Sequence, residues 1–321
     1  MNSAVAFVLA AFVYPGALAA LVIAWALGWA RAAARSAAEG RPAPNPLFDV
    51  TAIRGLFTSE TYAPEGVSQF AISLGVIIGA LAPLTALLLA PLPANALVRS
   101  IGLQGDLIAE VGLLLGLPLA RLFLGWIIPS PFSRLAADRG ARLLAGAALP
   151  LALGVTSLAQ VHGDLTLGDA ATVIGQSPFN YLAVVFGALA FLCALPALAA
   201  LSHVRADDDG AELVAGEATD LSGHDLALLR IGEALQLVAC GAFFALAFVS
   251  PLITRITNPV AHGIALLVVA ILVAAGLGIW EGRFGQRPEG EDHPPLSWWV
   301  GVPTLIALAA LVAAAWATRG A

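Results

Sequence analysis

Charged side chains are scarce in this sequence, and lysine is missing altogether. Of its 321 residues 60% are hydrophobic and 11% are charged, and the mean hydropathy is +0.89. A soluble globular domain carries about 25% charged residues, roughly twice this share. The composition therefore excludes an ordinary soluble domain and indicates a membrane protein.

Cysteine is scarce as well. Cys193 and Cys240 lie far apart, and neither belongs to a CxxC pair, so neither a zinc site nor an iron–sulfur cluster can be built from this chain alone. No glycine-rich strand-to-helix nucleotide motif is present. The net charge of −6 comes largely from loops such as DDDGAE and EGEDH, which argues against nucleic-acid binding. Any redox centre that this protein serves is expected in a partner subunit.

Long apolar runs recur along the whole chain. A helix needs roughly 20 apolar residues to cross a hydrocarbon core ~30 Å thick, and continuous stretches of Ala, Leu, Val and Gly do not show the alternation of a membrane β-barrel. The sequence predicts an all-α polytopic bundle, one integral membrane domain over residues 1–321. The eight predicted spans are 5–30, 68–92, 106–128, 140–160, 179–203, 226–250, 260–281 and 297–318.

The distribution of arginine predicts the orientation. All 15 cationic residues are Arg, and most of them lie in or beside the odd-numbered loops. By the positive-inside rule these loops are cytoplasmic, so an even number of spans places both termini on the outer side. The N-terminus lacks the basic region of a signal peptide and is interpreted as the first span. The arginines on the predicted cytoplasmic side are Arg31, Arg35, Arg41, Arg54, Arg134, Arg139, Arg142, Arg205, Arg230, Arg283 and Arg287.

Two of the predicted cytoplasmic loops have a distinct character. Loop one contains RPAPNP followed by LFDVTAIRGLF, whose apolar residues recur at near-helical spacing over about 47–57. This pattern predicts an amphipathic helix that either lies in the membrane interface or packs onto the bundle. Loop five, about 204–225, is acidic.

Several ionisable residues fall inside predicted spans, where each costs a few kcal/mol on insertion scales. Asp106 and Glu110 lie one turn apart at the outer start of the third span, and Arg121 lies too far along to pair with Asp106 directly. Asp106 is either an interfacial helix cap or part of a proton pathway. Arg230 and Glu233 enter the sixth span, either as a self-neutralising (i, i+3) ion pair or with Glu233 facing a wet cavity.

The sixth span and the loop before it resemble a known family. The matching elements run without a gap: Glu212-Leu213-Val214-Ala215-Gly216, Asp220, Ser222-Gly223, Leu226-Ala227-Leu228 and Glu233. This pattern is similar to that of the eight-span membrane subunit of complex I, known as subunit one or the H-type subunit, and its relatives in energy-converting [NiFe]-hydrogenases and formate hydrogenlyases. Asp220 stands where the family usually has Glu.

A second stretch resembles the same family. RPAPNPLFDVTAIRGLF looks like its loop-one segment, with Arg54 in place of Lys, and this short version is closer to the hydrogenase branch, as are Gly105-Asp106-Leu107-Ile108 and Arg121. One position departs from the pattern: Leu149 stands before Pro150, where the family commonly carries a membrane-embedded Glu. Leu149 cannot titrate, which puts proton transfer through this subunit in question.

The resemblance implies a non-redox coupling subunit in the inner membrane of a bacterium or archaeon. Its implied partners are an iron–sulfur and large-subunit peripheral arm, antiporter-like membrane subunits and lipid, and a quinone is a candidate ligand at the interface. Glu212 and Asp220 would line the mouth of a chamber, and Glu233 would begin the route inward. Arg54 and Arg230 would position or neutralise these acids, while Arg41 and Asp49 belong to the docking loop. A stand-alone transporter that uses Glu110, Arg121 and Glu233, or a membrane anchor that moves no ions, are the alternatives.

Overall fold

The protein is a bundle of α-helices, as the sequence predicts. The computed structural model describes residues 12–62, 64, 66–93, 95, 106–162, 167, 178–199, 220–253, 258–284 and 296–319, and this part of the chain contains no strand. The helices are α1 (Ala17–Ala38), α2 (Phe48–Thr58), α3 (Gln69–Leu89), α4 (Leu107–Leu114), α5 (Gly116–Ile127), α6 (Pro131–His162), α7 (Pro178–Leu198), α8 (Gly223–Phe244), α9 (Pro259–Phe284) and α10 (Leu296–Arg319).

Seven helical segments in the described chain are long and apolar enough to cross a membrane. They correspond to the first seven predicted spans, with α4 and α5 counted as one. The eighth predicted span corresponds to α10, whose described apolar part is Gly301–Ala317. The all-α membrane fold is thus confirmed, while the orientation of the termini stays a prediction.

Three boundaries differ from the predicted ones. The first span was expected to run unbroken over 5–30, but Tyr14, Pro15 and Gly16 form a turn, and α1 begins at Ala17 and continues to Ala38. The helix of the fourth predicted span, α6, begins at Pro131, whereas the span was predicted to begin at residue 140. The third span is split into α4 and α5 at Leu115. Polar ends and helix breaks are the parts of a span that hydropathy defines least well.

The helix α8 lies at the centre of the bundle. It packs against α3, α1 and α9 and ends in a π-helical turn, Ala245–Val249, and with that turn it is the most buried of the candidate spans. Gly232 allows the close contact with α3, because a Cβ at this position would lie 3.0 Å from the Gly79 carbonyl oxygen. Polar groups on the buried face of α8, such as Gln236, therefore face protein.

The other helices form two groups around this centre. The first group is the pair α1 and α9, which pack against each other more extensively than any other two helices of the described chain. The second group consists of α6, α7 and α10. The α5 helix packs against both α3 and α6 and so connects the second group to α3, which itself packs against α8. Phe191 of α7 stacks on Phe243, Phe244 and Phe248, which fills the space between the second group and α8.

Candidate functional site

Three of the four predicted cytoplasmic loops, loops one, three and five, meet at the start of α8. The backbone N–H of Tyr62, in loop one, donates to Ser222 Oγ at 2.8 Å, and the backbone N–H of His224 donates to Thr61 Oγ1 at 3.1 Å. The His224 ring lies edge-on to Phe57 at the end of α2. We call residues 220–225, with the loop-one residues that they contact, the loop junction.

Two carboxylates of the loop junction bind residues outside loop one. Ser133, at the start of α6 in loop three, donates from Oγ to Asp220 Oδ2 at 2.5 Å. Gln69, the first residue of α3, donates from Nε2 to Asp225 Oδ2 at 2.7 Å. Asp220, for which the family resemblance implies a place at a chamber mouth, therefore lies where loop five contacts loop three. Its role in proton transfer stays a prediction.

The geometry explains the Ser222-Gly223 pair of the sequence motif. Gly223 has φ +56°, a conformation that side-chain-bearing residues rarely adopt. A Cβ at this position would also collide with the Thr61 hydroxyl and lie 2.8 Å from the Glu60 carbonyl oxygen. Only glycine permits this approach of loop one to loop five.

Ten residues into α8, Glu233 joins two arginines. Its Oε2 accepts from Arg230 at 2.9 Å, which is the local pair that the spacing allows, and its Oε1 lies 3.1 Å from an NH1 of Arg121 on α5. The Glu233 and Arg121 side chains are 19% and 17% exposed, and that of Arg230 is 47% exposed. We call these three residues the ion-pair cluster. The local pair expected from the spacing is therefore present, together with a partner from another helix, while a wet cavity beside Glu233 stays a prediction.

A further ion pair lies beside this cluster and was not anticipated from the sequence. Arg31 of α1 donates to Glu281 of α9 from Nε at 2.8 Å and from NH2 at 2.5 Å, and Arg31 also adds a third positive charge to the surroundings of Glu233. The sequence did contain an indication of this contact, because Glu281 stands inside Gly278-x-x-x-Gly282, a spacing that favours close helix packing. A Cβ on Gly282 would lie 2.9 Å from the Arg35 carbonyl oxygen.

Asp106 and Glu110 lie apart from the ion-pair cluster, at the other end of the third span. Asp106 caps α4, since its Oδ1 accepts from the backbone N–H groups of Ile108 at 2.8 Å and Ala109 at 3.3 Å; this is the capping alternative. Glu110 is only 3% exposed, and its Oε1 has no hydrogen-bond partner among the described residues. Its place in a proton pathway stays a prediction.

Comparison with known proteins decides the family. The sequence model of the family described as NADH dehydrogenase matches residues 7–314. The chain belongs to this family. The resemblance noted in loop five and the sixth span is confirmed, and this is a multi-pass membrane subunit of the kind found in complex I-like respiratory complexes of the inner membrane.

Individual relatives agree with this assignment. The chain is 29% identical to the second H-type subunit of NADH-quinone oxidoreductase from Geobacter sulfurreducens and 28% identical to the first H-type subunit from Geobacter metallireducens, in each case over 198 residues. Each match spans 58% of this chain and 58% of the relative. The fold is similar to a chain of the membrane-bound sulfane sulfur reductase, an archaeal respiratory membrane complex, with a TM-score of 0.77, 20% identity and coverage of 96% of this chain and 99% of that one.

The loop-one residues of this family member lie on its surface. Arg41 is 3.5 Å from Glu39 and largely exposed, and Asp49 and Arg54 are exposed on α2. No ion pair joins Arg54 to an acidic residue within the described part of the chain. The arginines that pair with Glu233 there are Arg230, which was expected to do so, and Arg121. The remaining chamber residue, Glu212, lies outside the described residues.

Two tryptophans hold the proline-rich start of loop one. The indole N–H of Trp25 donates to the Pro46 carbonyl at 2.7 Å, and that of Trp29 donates to the Pro44 carbonyl at 3.2 Å. Both tryptophans lie on α1, one turn apart. This attachment fixes the segment that leads into α2 along the side of the bundle.

Leu149, the departure from the family pattern, lies on the surface of α6. Its side chain is 49% exposed. An acidic residue at this position would face outward from the subunit, toward lipid or a neighbouring chain. The position at which the family commonly carries a Glu therefore lies away from the ion-pair cluster.

Proposed function

We propose that this chain is the coupling subunit of a complex I-like oxidoreductase, which links a peripheral iron–sulfur arm to proton translocation. One observation carries the proposal: Glu233 is held between Arg121 and Arg230 on the central helix. It lies about 15 Å along the helix axis from Gly223 at the loop junction. Such a carboxylate is close enough to respond to charge at the loops and deep enough to pass a proton inward.

The mechanism follows from electrostatics. Two guanidinium groups stabilise the negative charge of Glu233 through charge-assisted hydrogen bonds. When reduction in the attached arm places negative charge near the loop junction, the more exposed Arg230 is drawn toward it. Glu233 then loses one partner and takes up a proton, so that electron arrival becomes proton movement.

Further residues extend this route at both ends. Glu212 and Asp220 form the chamber mouth, where a quinone head group would be received in a quinone-reducing complex, and the iron–sulfur clusters belong to the partner subunits. Glu110, buried in the third span, is the acceptor farther into the membrane. Ionisable groups inside spans are costly and in general serve such pathways.

The surfaces of the subunit suit the proposed partners. Loop one presents Arg41, Asp49 and Arg54 together with exposed Leu47 and Phe48 to a peripheral arm. The exposed apolar faces of α9 and α10 suit lipid and antiporter-like membrane subunits. Isolation of the complex in mild detergent, followed by identification of the co-purifying chains, tests both assignments. A co-purifying large subunit with two CxxC pairs would indicate a [NiFe]-hydrogenase partner instead of a quinone reductase.

Substitution of Glu233 tests the mechanism. In inverted membrane vesicles that contain the assembled complex, E233Q is expected to abolish redox-driven proton uptake while the partner chains still co-purify. D138N is the matched control, since Asp138 is an exposed carboxylate on α6 outside the cluster, and it should pump like the wild type. Unchanged pumping by E233Q would remove this residue from the mechanism.

A non-pumping anchor is the second candidate, and the outward-facing Leu149 favours it. An anchor would support full electron transfer in vesicles without any proton uptake, and charge-removing substitutions at Glu110, Arg121 and Glu233 would leave turnover unchanged. If the wild-type complex takes up protons and E233Q abolishes that uptake, this candidate is ruled out.

A further inference from the structure

The break in the third span leaves a backbone acceptor without its helical donor. The α4 helix ends at Leu114 and α5 begins at Gly116. In a continuous helix the Leu114 carbonyl would accept from the N–H of the fourth residue on, which is Pro118 and has none. An unsatisfied carbonyl within the hydrocarbon region costs several kcal/mol, so this oxygen needs a donor from elsewhere.

Gln236 supplies that donor. Its side chain is fully buried, and its Nε2 donates to the Leu114 carbonyl at 2.6 Å and to the Leu198 carbonyl at 2.9 Å. Leu198 is the last residue of α7, where carbonyls have no intrahelical donor. Both partners are acceptors, so the amide nitrogen must face them, since only that end of the group carries hydrogens.

These bonds place Gln236 one turn from the ion-pair cluster. Gln236 and Glu233 share a face of α8, and each is bound to the third span, Gln236 to Leu114 at the end of α4 and Glu233 to Arg121 on α5. The two attachments lie on either side of the break. They therefore fix the direction in which α5 leaves the break, and with it the position of Arg121.

We propose that Gln236 is a positioning residue for the ion-pair cluster: its amide replaces the donor that Pro118 lacks, and so holds Arg121 against Glu233. The effect on proton transfer rests on the function proposed above. The effect on helix geometry does not, and this allows the two to be tested separately.

Spin labels across the break measure the geometry. The labels are attached at Ile108 and Trp126, whose side chains are 61% and 54% exposed and which are separated by roughly 27 Å along a continuous helix. Both residues are replaced by cysteine in the full chain. The exposed native Cys193 is removed by C193A, and the buried Cys240 is kept. With Gln236 present, one narrow distance distribution is expected. Q236M, which keeps the length but removes the donor, is expected to broaden it. P118A/Q236M is expected to narrow it again, because the alanine introduced by P118A has a backbone N–H that can bond to the Leu114 carbonyl.

The same variants are then assayed for proton uptake in vesicles. Q236M is expected to slow redox-driven proton uptake about tenfold, and P118A/Q236M is expected to recover part of that rate, a rescue that a simple loss of packing would not give. If Q236M does not accumulate in membranes, P118A/Q236M must accumulate to a higher level. An unchanged distance distribution in Q236M, or no rescue by P118A, overturns the inference.

The outcomes separate the inference from the proposed function. If Q236M alters the distances and P118A restores them, the positioning of α5 stands even when E233Q pumps normally and the proposed function falls. If E233Q abolishes pumping while Q236M changes neither distances nor rate, the proposed function stands and the positioning role falls.

Discussion

Arg121 on α5 lies 3.1 Å from Glu233 on α8 and joins the third and sixth predicted spans by an ion pair. The two residues are 112 positions apart in the sequence, and their partner Arg230 is a local neighbour of only one of them. Glu233 is therefore shared between an arginine that connects helices and one that lies nearer to the loops. The two arginines should differ in what they contribute.

Removal of each arginine separately measures this difference. Because Arg121 and Glu233 are mostly buried, R121M leaves a carboxylate with one partner fewer in a poorly hydrated site, and we expect a loss of about 2 kcal/mol of stability. R230M removes a half-exposed partner and should cost less than about 1 kcal/mol. The apparent Tm of the purified complex measures both. Equal shifts for the two variants would contradict the inequality.

The glycine of the loop junction gives a second prediction. G223A forces a side chain into a left-handed backbone conformation against loop one, and we expect about 2 kcal/mol of local destabilisation together with weaker retention of the peripheral subunits in mild detergent. G55A is the matched control, because a Cβ on Gly55 would meet no atom within 4 Å in α2 and alanine favours the helix. Both outcomes are scored by the amount of partner protein that co-purifies. Normal retention in G223A would show that the loop junction is not needed for docking.

The contact between α1 and α9 gives a third prediction. A Cβ on Gly278 would collide with the Arg31 backbone carbonyl, whereas one on Gly276 of the same helix would meet nothing within 4 Å. We expect G278A to separate the helices, weaken the pair between Arg31 and Glu281 and cost about 2 kcal/mol. Comparison of the apparent Tm of G278A with that of G276A, which should equal the wild type, isolates the steric effect. A wild-type Tm in G278A would mean that the helices adjust without loss.

The same arrangement predicts how E281Q behaves. Loss of the carboxylate charge leaves Arg31 with weaker hydrogen bonds at a partly buried position, and we expect destabilisation of about 1–2 kcal/mol. Because Arg31 also adds positive charge around Glu233, the freed guanidinium should slow proton uptake at Glu233 as well. Proton uptake in vesicles at matched electron-transfer rates checks this, with D138N again as the control. A lower Tm with unchanged uptake would confine the pair to a structural role.

Local sequence features could predict only part of the candidate site. The spacing of Arg230 and Glu233 indicated their ion pair, and Asp106 before an apolar run indicated a cap. Arg121 was expected to be important but had no predicted partner, and no role was predicted for Gln236. Glu281 was missed, because a single acid at the end of an apolar run resembles an ordinary interfacial residue.

The sequence by itself determined that the protein is an all-helical membrane bundle and a member of its family. Hydrophobic length sets which segments cross a bilayer, and the Ser-Gly-containing loop motif is specific. Only the tertiary structure decided which polar groups meet: that Gly223 admits loop one, that Gln236 bonds to the carbonyl freed by Pro118, and that Glu233 is shared between two helices. The reason is that hydropathy is a property of each segment, whereas a buried charge or carbonyl is satisfied by whichever helix packs against it.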